Sequence, residues 1–491
     1  MVNKVKLGSL LSLLTDYHAN GAYKKLKENV ELFDEPDYAV MIRTTNFEQG
    51  CFDSNLKYIS EHAYNFLAKS KVYTSDIIMN KIANAGSSYL MPDLNCPVSL
   101  AMNLFLLRID ENKANSTFVY LYLKLNEAYV KSFANGSVTK TITKEAVRNL
   151  EIELPNRSTQ NYIVEVYMAY TNKLTLNKQT NQTLEQMAQT LFKSWFVDFD
   201  PVFDNLLAKV DFKLENLAFD FPEPLLKRAK IRLLALDDKA KVALTSSEQS
   251  QANIHTHFPS EFEHNEQLGW IPKGWKATIF DDLLESTIGG DWGEEHPDEK
   301  HTIQSCIVRG TDIPSLKSGG ESKAPIRWVE EKKLKTRKIK FADIIIEVSG
   351  GSPTQPTGRS VFMSEGILNR LGGTVEPASF CRKFRPLNEK IGLLASVHLQ
   401  KIYDDGKTWE YQNQSTGISN FQTKIFLAKE VVLIPSENIL NKFYDIAIGF
   451  INRKDLEQTA TLTKLRDALL PKLISGELQI PDVKATNEKT A

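Results

Sequence analysis

The sequence predicts an α+β protein built as an internal repeat, in which two mixed α/β globules alternate with two long helices. Three observations predict this fold class. The segment Leu184–Phe196 returns as Leu462–Ile474 with apolar residues in the same places. The strand-like run Glu151–Pro155 has a counterpart at Glu430–Pro435. Each helical segment follows a globular stretch, so the order is globule, helix, globule, helix, and the chain can fold with pseudo-two-fold symmetry.

The two helical segments correspond position by position. The paired apolar residues are Leu184 with Leu462, Met187 with Leu465, Leu191 with Leu469, Phe192 with Leu470, and Trp195 with Leu473. Their spacing of three and four residues is that of one face of a helix. A symmetric body suits a symmetric ligand, and duplex DNA is the commonest ligand of that kind.

Length and composition limit the possible classes. A chain of 491 residues is too long for one hydrophobic core, and 42% hydrophobic with 25% charged residues is ordinary for a globular protein. The sequence has no apolar run of membrane-span length, no signal-peptide core and no Cys-x-x-Cys pair, so we expect a cytoplasmic protein. A net charge of −1 argues only mildly against nucleic acid, because phosphate contacts need locally clustered Lys and Arg.

The first globule is predicted for residues 1–157 and mixes strands with helices. Residues 72–82 predict a turn followed by a buried strand, and residues 99–108 predict another strand. Residues 118–130 have a helical pattern. Glu151–Pro155 alternates apolar and acidic residues, so one face of this strand is buried, and the proline ends it.

The first spacer helix is predicted for residues 158–198. Apolar residues recur at helical spacing from Ile163 to Trp195. At about 1.5 Å per residue, a helix of about 35 residues spans roughly 50 Å, more than one wall of a compact domain. Residues 199–266, with Phe221–Pro224 and a Ser/Gln-rich run, predict a poorly packed linker or insertion with at most one short helix.

The second globule, predicted for residues 267–436, begins at Leu268–Trp275 and repeats the plan of the first. Asp343–Val348 matches Asp76–Lys81 in type. A second spacer helix is predicted for residues 437–480, with its stop at Gly476. Residues 481–491 predict a disordered tail.

Catalytic motifs occur only as near-misses. In Gly351–Ser360 six residues separate the glycines, instead of the four of a P-loop, and an arginine replaces the lysine. Asp200–Phe203 is one residue from the Asp-Pro-Pro-Phe type of motif of amino-methyltransferases, yet no Gly-x-Gly loop is present for a methyl donor. The histidines of His255–His257 and His296–His301 have no partner cluster at metal-site spacing. We therefore expect no catalytic residue and no metal site.

Polar loops of the second globule suit recognition. Ser349–Arg359 places hydroxyl, amide and guanidinium groups on a flexible backbone, and Gln and Arg are the side chains that read adenine and guanine edges bidentately. Asp404–Gly417 interleaves aromatic residues with amides. Basic residues suited to phosphate contacts are Lys332, Lys333, Lys335, Arg337, Lys338, Lys340, Arg382, Lys383 and Arg385. A solvated face explains such runs about equally well.

The first globule has comparable but different loops. They are Arg43–Asn46, the region of Lys81, Asn84–Ser88 and Asn135–Thr141. The two globules share a plan and little loop sequence. A protein that reads one site twice would not need this divergence, whereas a protein that reads two different sites would.

With these residues in view, the chain resembles the specificity (S) subunits of type I restriction–modification systems over essentially its whole length. The resemblance lies in the duplicated helix endings, including Leu469–Gly476, and in Leu268–Trp275. Ile307–Pro314, Ser349–Arg359 and Trp409–Thr416 are also similar to family segments.

The resemblance implies two target-recognition domains, each reading half of a split DNA site, joined by two antiparallel coiled-coil helices that set the spacing. Docking on one face of DNA favours half-sites about one turn, roughly 34–36 Å, apart. It also implies two methyltransferase (M) subunits and restriction (R) subunits as partners. S-adenosylmethionine would then belong to the methyltransferase, ATP and Mg to the restriction subunit, and no cofactor to this chain.

The candidate residues divide into two sets. The candidate DNA-binding residues are Arg43, Thr44, Lys81, Asn84, Ser87, Lys140, Arg309, Ser349, Gly350, Gly351, Thr354, Gln355, Thr357, Arg359, Lys407, Tyr411, Gln412, Asn413 and Gln414. The candidate partner-binding helix residues are Leu184, Met187, Leu191, Trp195, Leu462, Leu465, Leu469 and Leu473. Two other interpretations stay open: a fused restriction–methylation enzyme with a divergent centre at Asp200–Phe203, and a coiled-coil protein-interaction scaffold.

Overall fold

The structure is a computed structural model that describes residues 3–136, 139–218, 220–245, 254–320, 322–350, 355–415, 418–454 and 458–478. The chain divides into two compact units. The first contains Met1–Asn172 and Thr463–Ala491, and the second contains Lys173–Leu462. None of the described helices combines the length and apolar composition that a membrane crossing requires.

The first unit is a mixed α/β fold built on small sheets. Its elements in chain order are β1 (Asn3–Lys6), α1 (Leu7–Leu10), β2 (Leu11–Asp16), α2 (Tyr23–Asn29), β3 (Ala39–Ile42), α3 (Thr44–Gln49), β4 (Tyr58–Ile59), α4 (Glu61–Phe66), β5 (Lys71–Val72), β6 (Ile77–Asn80), β7 (Ser88–Leu90), β8 (Val98–Leu100), β9 (Leu104–Ile109), α5 (Ser116–Leu125), α6 (Glu127–Ser132), α7 (Lys144–Asn149), β10 (Glu151–Leu154) and α8 (Arg157–Phe192), which continues into the second unit. Two sheets have the orders β2-β9-β6-β7 and β4-β3-β8-β5, and β1 pairs with β10.

Two sequence predictions in this unit are corrected in detail. Residues 99–108 form two strands, β8 and β9, because a turn intervenes in which Asn103 has a left-handed φ of 68°. The helix predicted for residues 118–130 is divided into α5 and α6. The division lies at Asn126, whose side-chain amide donates to the Tyr122 carbonyl at 3.0 Å.

Helix α8 follows from its sequence. Pro155 ends β10, and the Asn156 side chain accepts a hydrogen bond from the Thr159 amide at 2.9 Å, which satisfies a donor of the first turn. The apolar stripe then buries Ile163 in a core of the first unit and Phe192 in a core of the second. The predicted long helix is confirmed, with 36 residues in α8 followed by a π-helical turn over Lys193–Val197.

The second unit contains the remaining elements. In chain order they are α9 (Asp200–Lys209), α10 (Glu223–Ala235), α11 (Asp238–Thr245), β11 (Phe262–Asn265), β12 (Gly269–Pro272), β13 (Lys276–Ile279), β14 (Leu284–Gly289), β15 (His301–Val308), α12 (Ile313–Lys317), β16 (Ile326–Glu330), α13 (Glu331–Arg337), β17 (Ile344–Glu347), β18 (Ser349–Gly350), β19 (Ser360–Phe362), α14 (Glu365–Leu371), β20 (Thr374–Pro377), β21 (Cys381–Pro386), α15 (Glu389–Asp404), β22 (Gln412–Ser415), β23 (Ile418–Phe421), α16 (Thr423–Lys429), β24 (Val431–Ile434), α17 (Glu437–Lys454) and α18 (Gln458–Ile474), which ends in the first unit.

The sheets of the second unit repeat those of the first. The order β14-β21-β17-β19 corresponds to β2-β9-β6-β7, and β16-β15-β20 corresponds to β4-β3-β8. The pairs β15–β20 and β3–β8 are both parallel, although most other pairs are antiparallel. The pair β13–β24 corresponds to β1–β10. The predicted α+β fold with an internal repeat is therefore confirmed.

The segment predicted as a poorly packed linker is folded in its described part. Helices α9, α10 and α11 bury a small core of their own, which includes Phe203, Leu207 and Ala229. Arg232 of α10 makes two hydrogen bonds to the buried Asp204 carboxylate, at 2.7 and 2.8 Å. The high polar content of the sequence concealed this packing, because few apolar residues are enough for three short helices on a larger body.

The predicted second spacer helix corresponds to α17 and α18, which lie on either side of residues 455–457. Helix α18 ends at Ile474, and Gly476 has a left-handed φ of 74°, as expected for a glycine after a helix end. The tail 481–491 lies outside the described residues. The domain boundaries proposed from sequence stay predictions.

A buried Asp–Arg pair occupies the same place in each unit. Arg108 on β9 donates to the Asp76 carboxylate from Nε at 2.8 Å and from a terminal nitrogen at 2.7 Å. Arg385 on β21 does the same to Asp343, at 2.9 and 2.7 Å. Such bidentate pairs fix direction as well as distance. Each pair therefore locks β6 or β17 to the long neighbouring strand of its sheet.

The backbone turn before Asp76 has the same conformation as the turn before Asp343. The Asp76 carboxylate accepts from the amide of Tyr73, and the Asp343 carboxylate from the amide of Lys340, both at 2.7 Å. The residue before each aspartate has a left-handed φ, 69° at Ser75 and 67° at Ala342. The two turns therefore share one conformation, which the carboxylate stabilises.

We expect Asp343→Asn to destabilise the second unit by on the order of 3 kcal/mol, because it leaves the Arg385 guanidinium half-buried without its counter-charge. Hydrogen–deuterium exchange should show faster exchange over Ile344–Glu347 and Cys381–Pro386, with the first unit unchanged. Asp238→Asn, at an exposed carboxylate on α11, is the control. Unchanged exchange in the two strands would contradict the role assigned to the pair.

Candidate nucleic-acid interface

Two arginines predicted to bind DNA occupy equivalent positions, at the ends of β3 and β15. The Arg43 amide donates to the Asn46 side chain at 3.0 Å, and the Arg309 amide to Asp312 at 2.9 Å. Arg309 also binds the Asp312 carboxylate with its guanidinium, at 2.9 and 2.8 Å. The Arg43 guanidinium donates to the Asn55 carbonyl at 2.7 Å. Both side chains are partly exposed while held against their own unit.

A cationic cluster lies beside the loop between β6 and β7 in the first unit. Lys81 and Lys144 share one carboxylate, that of the buried Asp16, at 3.3 and 3.1 Å. Burial alone would raise the pKa of Asp16, but the two lysines lower it, so the carboxyl is ionised. Two cations on one anion leave a surplus positive charge. Lys144 was missed by the sequence reasoning because only the fold brings it to Lys81.

The other predicted residues of this region differ in exposure. Thr44 follows Arg43 and is half-buried, whereas Asn84 and Lys140 are exposed. The Asn84 side-chain oxygen accepts a hydrogen bond from the Lys131 ammonium at 2.7 Å. Ser87 is buried and donates to Glu127. Ser87 is thus a structural residue of the loop and not a surface residue, because its hydroxyl points into the unit.

The loop between β17 and β19 carries most of the predicted residues of the second unit. Arg359 binds the buried Glu347 carboxylate at 2.8 and 2.6 Å. Thr357 is 0% exposed and donates to the side-chain oxygen of Gln412 from its amide at 2.9 Å and its hydroxyl at 3.1 Å. The Ser349 hydroxyl donates to Asn420 at 2.5 Å. The prediction that Thr357 reads a base is corrected, because this residue is fully buried. Arg359 keeps part of its side chain exposed, and its role in reading bases stays a prediction.

The prediction that Tyr411 binds DNA is also corrected, because Tyr411 is a core residue. It is 7% exposed, and its hydroxyl donates to Glu430 at 2.7 Å. The same carboxylate contacts His398 at 2.8 Å and Lys407 at 2.7 Å. Burial would raise the pKa of Glu430, but these donors lower it to about 2. Lys407, which keeps part of its side chain exposed, closes the network from the surface.

The remaining predicted residues of this region are at the surface or outside the description. Gln355 and Asn413 are exposed, and Gly350 is half-buried. Gly351 and Thr354 lie outside the described residues. For Gln414, on β22, the backbone is described and the side chain is not.

The basic run near α13 is neutralised in part. Lys333 binds Asp291 at 3.0 Å and Glu330 at 2.8 Å, and the Arg337 side chain donates to the Gly289 carbonyl at 3.0 Å. Lys383 is buried, and burial lowers its pKa to about 8. Lys332, Lys338 and Lys340 are exposed and are the cations of this run best placed for a phosphate.

The repeated helix positions separate into a buried and an exposed set. Leu184, Trp195 and Leu473 are buried in their own units, and Leu191, Leu462 and Leu469 are half-buried. Met187 and Leu465, which occupy equivalent positions in the repeat, are 46% and 44% exposed. The prediction of partner-binding residues therefore narrows to this one exposed pair.

The histidines considered as metal ligands have other partners. His301 lies 2.8 Å from Asp298 and 3.6 Å from Glu330. The His255 ring lies 3.9 Å from Asp204. Within the described ranges, no group of three or more His, Cys, Asp and Glu side chains is arranged to hold a metal ion.

Glu376 on β20 is a buried acid of the second unit. It is 0% exposed, and neither carboxylate oxygen has a hydrogen-bond partner among the described residues. Burial, together with the nearby Asp291 charge, raises its pKa to about 7, against the opposing effect of Arg337 and Lys333. The equivalent strand of the first unit has Ser99 at this place in the register.

Comparisons with known proteins bear on what these loops recognise. Residues 2–186 match the family model described as Type I restriction modification DNA specificity domain. The chain is 25% identical over 444 residues to the Type I restriction enzyme HindI specificity subunit of Haemophilus influenzae, which covers 84% of this chain and 88% of that protein. It is 25% identical over 378 residues to the Type I restriction enzyme MjaIX specificity subunit of Methanocaldococcus jannaschii, covering 74% and 70%. The crystal structure of a type I restriction–modification S subunit from M. genitalium aligns with a TM-score of 0.47 and 13% identity over 96% of both chains.

A fold that occurs twice in one chain, with one frame and two sets of polar loops, defines a protein with two different recognition surfaces. The sequence matches identify residues 2–186 as a DNA specificity domain. Over most of its length the chain is similar to type I restriction–modification specificity subunits. The resemblance stated from the sequence is confirmed.

Glu376 makes the stability of the second unit depend on pH. Because its folded pKa is about 7 and its ordinary value is 4.5, the folded state binds more protons between these values. Stability should therefore fall as pH rises through this window, by on the order of 3 kcal/mol, and level off above pH 7. We expect Glu376→Gln to raise the thermal midpoint at pH 8 by several degrees and to change it little at pH 4.5. Glu299→Gln, at an exposed acid, is the control, and superimposable pH profiles for Glu376→Gln and the unchanged protein would contradict the assignment.

Proposed function

We propose that this protein is the DNA-recognition subunit of a type I restriction–modification enzyme, reading a bipartite DNA site and directing methylation and cleavage by partner subunits. The observation that carries the proposal is the similarity to specificity subunits together with the duplicated fold. The two Asp–Arg pairs keep the frame alike in the two units. The loop of residues 81–87 and the loop of residues 348–359, which occupy the same place, differ in length and side-chain chemistry.

This difference supports reading of two unlike half-sites. Sequence is read at base edges by loop or helix side chains, while phosphate contacts fix register and orientation. A common frame can make the same phosphate contacts in both units, while divergent loops read different bases. We expect each unit to dock in the same way and to read a different half of the site.

The partners and cofactors follow as part of this proposal. Two methyltransferase subunits would bind S-adenosylmethionine, and restriction subunits would bind ATP and Mg, so this chain would act without a cofactor and without a catalytic residue of its own. Its DNA substrate would place it in the cytoplasm. What supports the two-fold number of methyltransferase subunits is the equivalence of Met187 and Leu465, one exposed apolar residue in each repeat.

The alternative of a fused enzyme receives no support from the residues that suggested it. The Asp200 carboxylate accepts a hydrogen bond from Ser194 at 2.8 Å and lies 3.7 Å from Arg232. Pro201 lies in the first turn of α9, and Phe203 is buried in a small core. These residues therefore form the start of helix α9, a position where proline is well tolerated.

The experiment that tests the proposal is to map methylated adenines in DNA from cells that carry this chain and its methyltransferase partner. A split motif with a fixed spacer is the expected result. A continuous motif, or methylation that does not depend on this chain, would refute the proposal. Binding indifferent to DNA sequence, with little salt dependence, would instead favour the protein-interaction scaffold.

The lysine cluster at Asp16 should contribute a phosphate contact. We expect Lys144→Gln to weaken binding to any duplex about equally and to reduce the slope of log K against log salt by about 1, because one phosphate is no longer neutralised. Lys4→Gln, at an exposed lysine of the same unit that pairs with Glu153, is the control. A slope equal to that of the unchanged protein would remove the cluster from the interface.

The exposed pair Met187 and Leu465 should bind the two methyltransferase subunits. We expect Met187→Glu or Leu465→Glu to leave one methyltransferase subunit per chain and the double variant to leave none, because a charge in an apolar contact weakens it at least tenfold. Native mass spectrometry of the purified complex measures this stoichiometry. Leu176→Glu, on α8 at a residue that is 54% exposed but outside the repeat, is the control. Two bound subunits in the double variant would contradict the assignment.

A further inference from the structure

The loop between β17 and β19 is closed at its base by an ion pair. Glu347 is the last residue of β17 and is 3% exposed, and Arg359 directly precedes β19. The two side chains make the bidentate contact described above, at 2.8 and 2.6 Å. Their backbones are also bonded, from the Glu347 amide to the Arg359 carbonyl at 2.8 Å. Both ends of the loop are therefore joined by main chain and side chain together.

A second brace ties the same loop to a neighbouring sheet. The Gln412 side-chain oxygen accepts two hydrogen bonds from Thr357, on the side of the loop that leads to β19. Gln412 belongs to β22, which pairs with β23, and β23 pairs with β18 on the side of the loop that leaves β17. One three-stranded sheet thus holds both ends of the loop.

The backbone at two glycines packs closely against the Glu347 carboxylate. A Cβ on Gly350 would lie 2.8 Å from the Glu347 Oε1 atom, and a Cβ on Gly310 would meet the same atom. Gly350 has a backbone φ of 145°, which residues other than glycine rarely adopt. Backbone from two segments therefore approaches the carboxylate closely, which fixes its position and that of Arg359.

The equivalent loop of the first unit lacks this ion pair. Asn80 and Ser87 have the same backbone bonds as Glu347 and Arg359, with the Asn80 amide donating to the Ser87 carbonyl at 2.9 Å. Their side chains do not contact each other as an ion pair would. The Ser87 hydroxyl donates to Glu127, and the side-chain amide of Asn80 donates to Glu48 at 3.3 Å. The brace is thus a property of the second unit, where the loop is longer.

We infer that Glu347, Arg359 and Gln412 are positioning residues that hold the ends of the β17–β19 loop in the geometry with which the second unit reads its half of the DNA site. This inference rests on the proposed function. In this arrangement Arg359 gives its Nε and one terminal nitrogen to a buried carboxylate, which would lose its counter-charge if the arginine left. Base discrimination depends on well-held side chains, so loosening the loop ends should relax the specificity of one half-site only.

The test uses the full complex with methyltransferase and measures methylation rates on the target duplex and on duplexes with single substitutions in each half. We expect Glu347→Gln and Arg359→Lys to lower discrimination at one and the same half-site at least tenfold and to leave the other half unchanged. The double variant Glu347→Gln with Arg359→Gln should recover part of the discrimination, because no unpaired charge remains buried. Glu299→Gln, at an exposed acid of the second unit outside the loop, is the matched control and should leave both half-sites unchanged.

The outcomes separate a positioning role from direct reading and from simple loss of folding. If Arg359 reads a base, Glu347→Gln should preserve or sharpen discrimination while Arg359→Lys destroys it, which would overturn the inference. Equal relaxation at both halves, or none, would overturn it too. If Glu347→Gln prevents folding, Thr357→Val, which removes only the hydroxyl contact to Gln412, should still relax the same half-site in part. Failure of the proposed function would show differently, as absence of a split methylation motif with the unchanged protein.

Discussion

The buried Asp–Arg pair on the central strands is the interaction on which each unit depends. Asp76 and Asp343 each accept a backbone amide from the turn before a strand and a two-pronged arginine from the neighbouring strand. A carboxylate and a guanidinium withdrawn from water are tolerated only when their hydrogen bonds are satisfied, and here they are. The pair therefore specifies one strand register in each unit. The loops that follow β6 and β17 begin from a fixed point.

From that fixed point the two units diverge, and the divergence is electrostatic as well as steric. The first unit places two lysines on one carboxylate beside its short loop. The second closes its longer loop with an internal ion pair. A net charge of −1 conceals this arrangement, because some basic side chains near α13, Lys333 among them, are matched by acids within the same unit. A local surplus of positive charge, and not the net charge of the chain, determines where a phosphate can be neutralised.

Some candidate DNA-binding residues are structural residues instead, for a common reason. Thr357 lies in a loop and Tyr411 at the end of a short 3-10 helix, and both are polar, yet each is buried and bonded within the unit. The sequence cannot distinguish the two roles, because both need the same chemistry, and burial is decided by strands far apart in the chain. Lys144 is the opposite case. It carries no sequence signal, and the fold places it at Asp16 beside Lys81.

The sequence alone determined the α+β class, the repeat, the long helix and the family resemblance, because these depend on local periodicity and on residues compared with their own counterparts. It also paired Asp76 with Asp343 before any partner was known. Only the tertiary structure decided that the segment after α8 packs into helices, that Met187 and Leu465 stay exposed while Trp195 is buried, and which polar loop residues face inward. Those outcomes depend on contacts between distant segments, where a few apolar or charged neighbours outweigh local preference.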